Sequence, residues 1–130
     1  MNTPWTDKVD LDSPLPEYPR PQMARRDWMS LNGRWDYAIT DSSRRPKEFD
    51  GEIIVPFSPE TELSGVGRTL KSGEYLWYCR EVAIPAEFSG KHVLLHFGAR
   101  LSNSFIVDSY AYRQIGYARY IFLLLPLLPR

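Results

Sequence analysis

The chain has 130 residues, and at about 150 residues per domain that length holds one domain at most, which excludes a large multidomain enzyme. At 43% hydrophobic and 25% charged it is globular in composition, neither collagen-like nor disordered. Lys+Arg 16 balance Asp+Glu 16, so the basic excess that draws proteins to nucleic acid or anionic membranes is missing. The balance is uneven along the chain: through Asp108 there are 16 acidic and 13 basic residues, whereas residues 109–130 carry three arginines, no carboxylate and a Leu- and Pro-rich run.

In chain order, residues 1–22 contain Pro4, Pro14, Pro16, Pro19 and Pro21. Proline fixes φ and removes an amide donor, so this stretch is expected to be an extended arm and not a core element. It lacks the basic and apolar regions of a secretory signal, and the expected location is cytoplasmic. Next, Leu31, Trp35, Tyr37 and Ile39 share one parity while Asn32, Arg34 and Asp36 take the other, the alternation of a half-buried strand opened by an Asn-Gly turn. Residues 52–57 form a short apolar strand that Pro56 pushes toward a sheet edge. Residues 58–75, with Gly65, Gly67 and Gly73, read as a long surface connection.

The segment 75–84 is rich in aromatic and branched residues and stops at Pro85, which predicts a third strand. There Trp77 and Tyr78 point to opposite faces, so at most one is expected in the core. Residues 92–97 predict a fourth strand, with Val93, Leu95 and Phe97 on one face and His92, Leu94 and His96 on the other. Four strands and no amphipathic helix make an all-β chain. The single cysteine, Cys79, is expected to be a small apolar residue inside its strand. The long apolar segment near the end, 120–128, is broken by Pro126 and is too short to span a bilayer, which takes about 20 residues.

The chemistry of catalytic sites finds little support. His92 and His96, four apart on a strand, would stand about 13 Å from each other and could not share a zinc ion. Glu48, Asp50, Glu60 and Glu62 fall in loop segments, where solvated charge is the usual role, although Glu60 and Glu62 are the pair a small stand-alone glycosidase would need as acid and base. No glycine-rich loop leads from a strand into a helix, and no Ser-His-Asp arrangement can be argued. The sequence therefore assigns no catalytic residue, no cofactor and no metal ligand. The informative excess is aromatic, 14% of the chain, and Trp35 and Tyr37 are expected in a core; exposed aromatic faces would instead suit the apolar faces of sugars.

One resemblance runs through these segments. Glu17-Tyr18-Pro19-Arg20-Pro21-Gln22-Met23, Trp28 and Leu31-Asn32-Gly33-Arg34-Trp35-Asp36-Tyr37-Ala38-Ile39 resemble the N-terminal sugar-binding domain of glycoside hydrolase family 2. Thr3-Pro4-Trp5, Ile54-Val55-Pro56-Phe57, Leu76-Trp77-Tyr78-Cys79-Arg80 and Gly90-Lys91-His92-Val93-Leu94-Leu95-His96-Phe97-Gly98-Ala99 extend the likeness, in order, over residues 3–99. The resemblance implies a jelly-roll, galactose-binding-like β-sandwich, here incomplete. It places this domain at the front of β-galactosidase and β-glucuronidase relatives, whose catalytic glutamates lie on a downstream barrel. The implied organisation is an arm at 1–22, a partial sandwich at 23–99 and a divergent tail at 100–130. The implied partners are a carbohydrate and the barrel domain, together with self-association through open sheet edges; no position is identified as a sugar contact.

After Ala99 the likeness stops. The family continues with an Asp-Tyr-like step, whereas this chain reads Arg100-Leu101-Ser102-Asn103. Codons CGN-CTN-TCN-AAY read from the second base can encode Asp-Tyr-Gln-Thr, so a reading-frame shift is one account of the tail. A second is an extra strand with residues 120–125 buried. A third is a partner- or membrane-surface tail using Arg113, Arg119 and the apolar run, against which Pro126 and Pro129 break any long amphipathic helix.

Overall fold

The structure, a computed structural model, describes residues 8–96 except residue 19, together with the backbone of two later strands. Five strands form one antiparallel sheet: β1 (Gly33–Thr40), β2 (Gly51–Val55), β3 (Tyr75–Ala83), β4 (Phe105–Ser109) and β5 (Ala118–Pro126), in the spatial order β2-β1-β3-β5-β4. Helical turns among the described residues are three-residue 3-10 segments at Pro21–Met23, Glu62–Ser64 and Ala86–Phe88. The chain is all-β, as its alternation predicts.

β1 and β2 follow their sequence patterns closely. Asp50 closes their connection: its carboxylate accepts from the Ile39 amide at 2.7 Å, and its own amide donates to the Tyr37 carbonyl at 2.8 Å. β2 lies at the sheet edge, where the proline that follows it predicts it should. The register sets Trp35 opposite Ile53 and Tyr37 opposite Tyr78, so the odd positions of β1 and the even positions of β3 share one face. On that face Trp35, Ile53, Leu76, Tyr78 and Val82 form the main core, covered by side chains such as Met29, Leu31, Val66 and Leu70 from outside the strands. The rings of Trp35 and Tyr78 meet edge to face, centroids 6.4 Å apart.

Three expectations are corrected. Trp77 and Tyr78 do face opposite ways, yet both are buried, Trp77 completely. β3 lies inside the sheet, and its second face is covered too: Trp77 packs with Ala38, Phe49 and Tyr75, and its indole N–H donates to Thr40 Oγ1 at 3.0 Å. The Thr40 hydroxyl in turn donates to the Ser42 carbonyl at 2.8 Å, so it accepts from the indole and donates onward.

Second, residues 92–96 form no strand and are exposed, and the last residue of that expected strand, 97, lies outside the described residues. A strand needs a neighbour, and the free edge of β3 is filled along its whole length by β5, from Tyr75 opposite Pro126 to Ala83 opposite Ala118. The tail thus supplies an extra strand at Ala118–Pro126; the expected burial of 120–125 concerns side chains outside the described set.

Third, the proline-rich arm contributes to packing, because Pro14 is fully buried. The long connection after β2 is likewise more than surface. Its Ser64 is fully buried, donating its hydroxyl to the Thr61 carbonyl at 2.7 Å and accepting from the Val66 amide at 3.1 Å. Trp77→Ala should lower the unfolding free energy by about 3–5 kcal/mol, a large share of a typical domain's stability, measured by urea denaturation.

Candidate functional site

Arg80 ties β3 to the segment that leads into β1. Its guanidinium leaves β3 on the main-core face, and one Nη1 donates to the Leu31 carbonyl at 2.7 Å and the Asn32 carbonyl at 3.0 Å. The same guanidinium lies 5.9 Å from the centre of the Trp35 ring, within cation–π range, and the Trp35 indole donates to the Leu31 carbonyl at 2.8 Å. Burial pulls the Arg80 pKa below its ordinary value. Two motifs nearly fifty residues apart are joined by one side chain, because |i−j| is 49 and 48 for its two bonds.

The adjoining residues fasten the arm. Asn32 Nδ2 donates to the Pro14 carbonyl at 3.1 Å, and Arg34 Nε donates to Asp12 at 2.8 Å while its Nη1 reaches Glu52 at 3.1 Å. Hydrogen bonds and attraction from Asp12, then Glu52, raise the Arg34 pKa. Gly33 has φ +115°, and a Cβ there would stand 3.0 Å from the Asp12 carbonyl oxygen. Both the backbone angle and the close approach of the arm require glycine. Asn32, Gly33 and Arg34 therefore act as a clasp for the arm, a role the pattern of alternation in β1 did not reveal.

The carboxylates weighed for acid–base work do not share a built site. Asp50 is committed to the β1–β2 turn, Glu60 accepts from the Ser58 hydroxyl at 2.9 Å, and Glu48, Glu60 and Glu62 are exposed. Glu62 opens the 3-10 turn that brings Ser64 into the interior. Arg68 and Glu74 pair across the same loop, and Glu74 also accepts from the Lys71 amide at 2.8 Å. An open depression of about 430 Å³ is lined by arm residues including Lys8, Asp10, Leu15 and Glu17, and none of the four weighed carboxylates reaches it.

His92 and His96 are exposed in an irregular segment, so strand spacing does not govern their separation. Among the described residues no three His, Cys, Asp or Glu side chains come together to hold a metal ion. Cys79 is buried, and desolvation, with Asp36 nearby, pushes its thiol up, away from the reactive thiolate. Trp35 and Trp77 are enclosed and unavailable for stacking on a sugar, whereas Trp28 is part exposed and meets Tyr18 with ring centroids 5.0 Å apart. No helix among the described residues is long and apolar enough to cross a membrane. No protein-family model matches the chain, and no curated protein matches it.

Arg80→Ala should destabilise the chain by about 1.5–3 kcal/mol, since the Leu31 and Asn32 carbonyls lose their charged donor and the Trp35 ring its cation; thermal and urea unfolding will show it. Burial also pushes the Tyr78 hydroxyl from 10.0 up to about 12. Between those values the unfolded chain has released a proton that the folded chain retains, so stability falls as pH climbs through that window. The loss should be about 2–3 kcal/mol, and Tyr78→Phe should remove it from the alkaline unfolding profile.

Proposed function

We propose that this chain is the N-terminal sugar-binding or structural domain of a family 2 glycoside hydrolase, part of a jelly-roll, galactose-binding-like sandwich. The parent enzyme would hydrolyse O-glycosidic bonds of β-galactosides or β-glucuronides, with its acid/base and nucleophile glutamates on a barrel domain outside this sequence. The observation that carries the reading is the Arg80 node. The Leu31-Asn32-Gly33-Arg34-Trp35 and Trp77-Tyr78-Cys79-Arg80 motifs, separate in sequence, meet through Arg80 and the Trp35 indole. Support for the reading comes from two of the likeness-bearing segments lying side by side and sharing the Leu31 carbonyl as an acceptor.

On this reading the chain alone lacks hydrolytic activity. Its partners are a carbohydrate and the barrel domain, and the open edge of β2 is available for pairing with a further strand. A ligand-free structural fragment is the second reading, favoured by how fully the motif residues are engaged with one another and with the arm. A small stand-alone glycosidase ranks below both, because Glu60 is tied to Ser58 in an exposed turn.

Two measurements separate these readings. The purified chain should leave chromogenic β-galactosides and β-glucuronides intact. Hydrolysis abolished by Glu60→Gln or Glu62→Gln would overturn the proposal in favour of the stand-alone enzyme. Titrating galactose or glucuronic acid against backbone amide shifts should move a localised set of resonances if the domain binds sugar; an unchanged spectrum supports the ligand-free reading.

A further inference from the structure

The arm is seated on the sheet by side chains and not by backbone pairing. Pro14 is fully buried, while Leu11 and Leu15 on either side are 38% and 55% exposed. No residue of 8–18 belongs to a strand, so no ladder holds the segment. Its polar ties at 12–15 come from one short stretch before and within β1: Asn32 Nδ2 donates to the Pro14 and Leu15 carbonyls at 3.1 and 3.4 Å, and Arg34 Nε donates to Asp12. That ion pair is open to water, with the Arg34 and Asp12 side chains 51% and 78% exposed, where such pairs contribute little and are screened by salt. Leu15 has φ +49°, in the left-handed region that a bulky apolar residue rarely occupies, so the seated arm carries strain beside its buried proline. Asn32 links the arm to the sheet, because its side chain holds Pro14 while its own carbonyl accepts from Arg80 of β3.

We propose that residues 10–15 form a strap that opens and closes over Asn32 and Arg34 while the sheet stays folded. A segment seated by a buried proline, a side-chain amide and an exposed ion pair opens at lower free energy than strands joined by continuous ladders. Opening returns the Asn32 amide and one edge of the Arg34 guanidinium to water, uncovers the seat of Pro14 and releases the strain at Leu15. The ladders of β1 with β2 and β3 lose no bond in the process, since none includes the arm. Arg80 is a positioning residue for the strap: it fixes the Asn32 backbone, and with it the side chain that latches Pro14. This inference is independent of the family reading, since it uses only contacts within the chain.

Native-state proteolysis of the full chain tests it, with chymotrypsin cleavage after Leu11, followed by mass spectrometry, as the readout. Cutting there requires the segment to leave its seat and extend, so the rate reports the open strap. In the unaltered chain the rate should be nearly independent of urea below the unfolding transition, because a local opening exposes little surface. It should also be about tenfold or more slower than in a synthetic peptide of residues 8–18, because the strap is mostly closed. Asn32→Asp turns the latching donor into an acceptor that faces two carbonyls, and should speed cleavage about tenfold with the urea midpoint of the chain little changed. Raising salt from about 0.05 to about 0.5 M should speed it about twofold by screening the Asp12–Arg34 pair. Cleavage whose urea dependence matches global unfolding overturns the proposal, and so does cleavage as fast as in the peptide or an unchanged rate in folded Asn32→Asp. The first two outcomes are read from the unaltered chain, so a variant that folds poorly does not blur them. None of these measurements involves sugar, so failure here is distinguishable from failure of the family reading.

Discussion

β3 is the most enclosed strand of the sheet over Tyr75–Cys79. Its backbone is paired with β1 over one half and with β5 along its entire length, and its side chains are buried on both faces, Leu76, Tyr78 and Val82 toward one and Trp77 and Cys79 toward the other. That double enclosure fixes the register of β1, because Tyr37 and Ala38 must meet Tyr78 and Trp77 on opposite faces at the same time. A slip of one residue would carry Trp35 and Tyr37 out of the main core and bring Arg34 and Asp36 into it. The Arg80 guanidinium then extends this order beyond the sheet, holding the chain just before β1 by its carbonyls and, through Asn32 and Arg34, the arm beyond it.

The parts of the fold that are legible in the sequence are those whose pattern is local. The alternation around Trp35, the short run ending at Pro56 and the aromatic run from Tyr75 each announce a strand within two residues of its observed bounds. What sequence parity cannot report is how many layers lie against a strand. Trp77 and Tyr78 occupy opposite faces as their adjacency requires, but the burial of both depends on covering residues brought from elsewhere. The segment at 92–96 shows the complementary failure. Its alternation is as good as that of β1, yet a strand is a property of two segments, and the neighbouring edge goes to β5.

The site was less legible than the fold, for a related reason. The sequence identifies no position as a sugar contact, and in the structure Asn32, Arg34 and Arg80 bond to carbonyls and carboxylates of the chain itself. Long-range contacts of this kind, Arg80 to Leu31 and Asn32 to Pro14, have no periodic signature. The loop carboxylates lie outside the strands, as composition suggests, and two of them have local structural partners: Asp50 accepts from the Ile39 amide and Glu60 from the Ser58 hydroxyl.

The pairing of β3 with β5 also has a consequence in time. β1 and β3 can find one another as soon as residue 83 has been made, but the other edge of β3 waits until Ala118 and the residues after it appear. At roughly 5–20 residues per second, synthesis leaves that edge open for a few seconds, with Trp77 and Cys79 on the strand that borders it. Local turns form in microseconds, so the ribosome sets the pace at which this strand is sealed. In the cell, the interval between the third strand and the fifth is the one in which a chaperone that covers an apolar sheet edge has the most to protect.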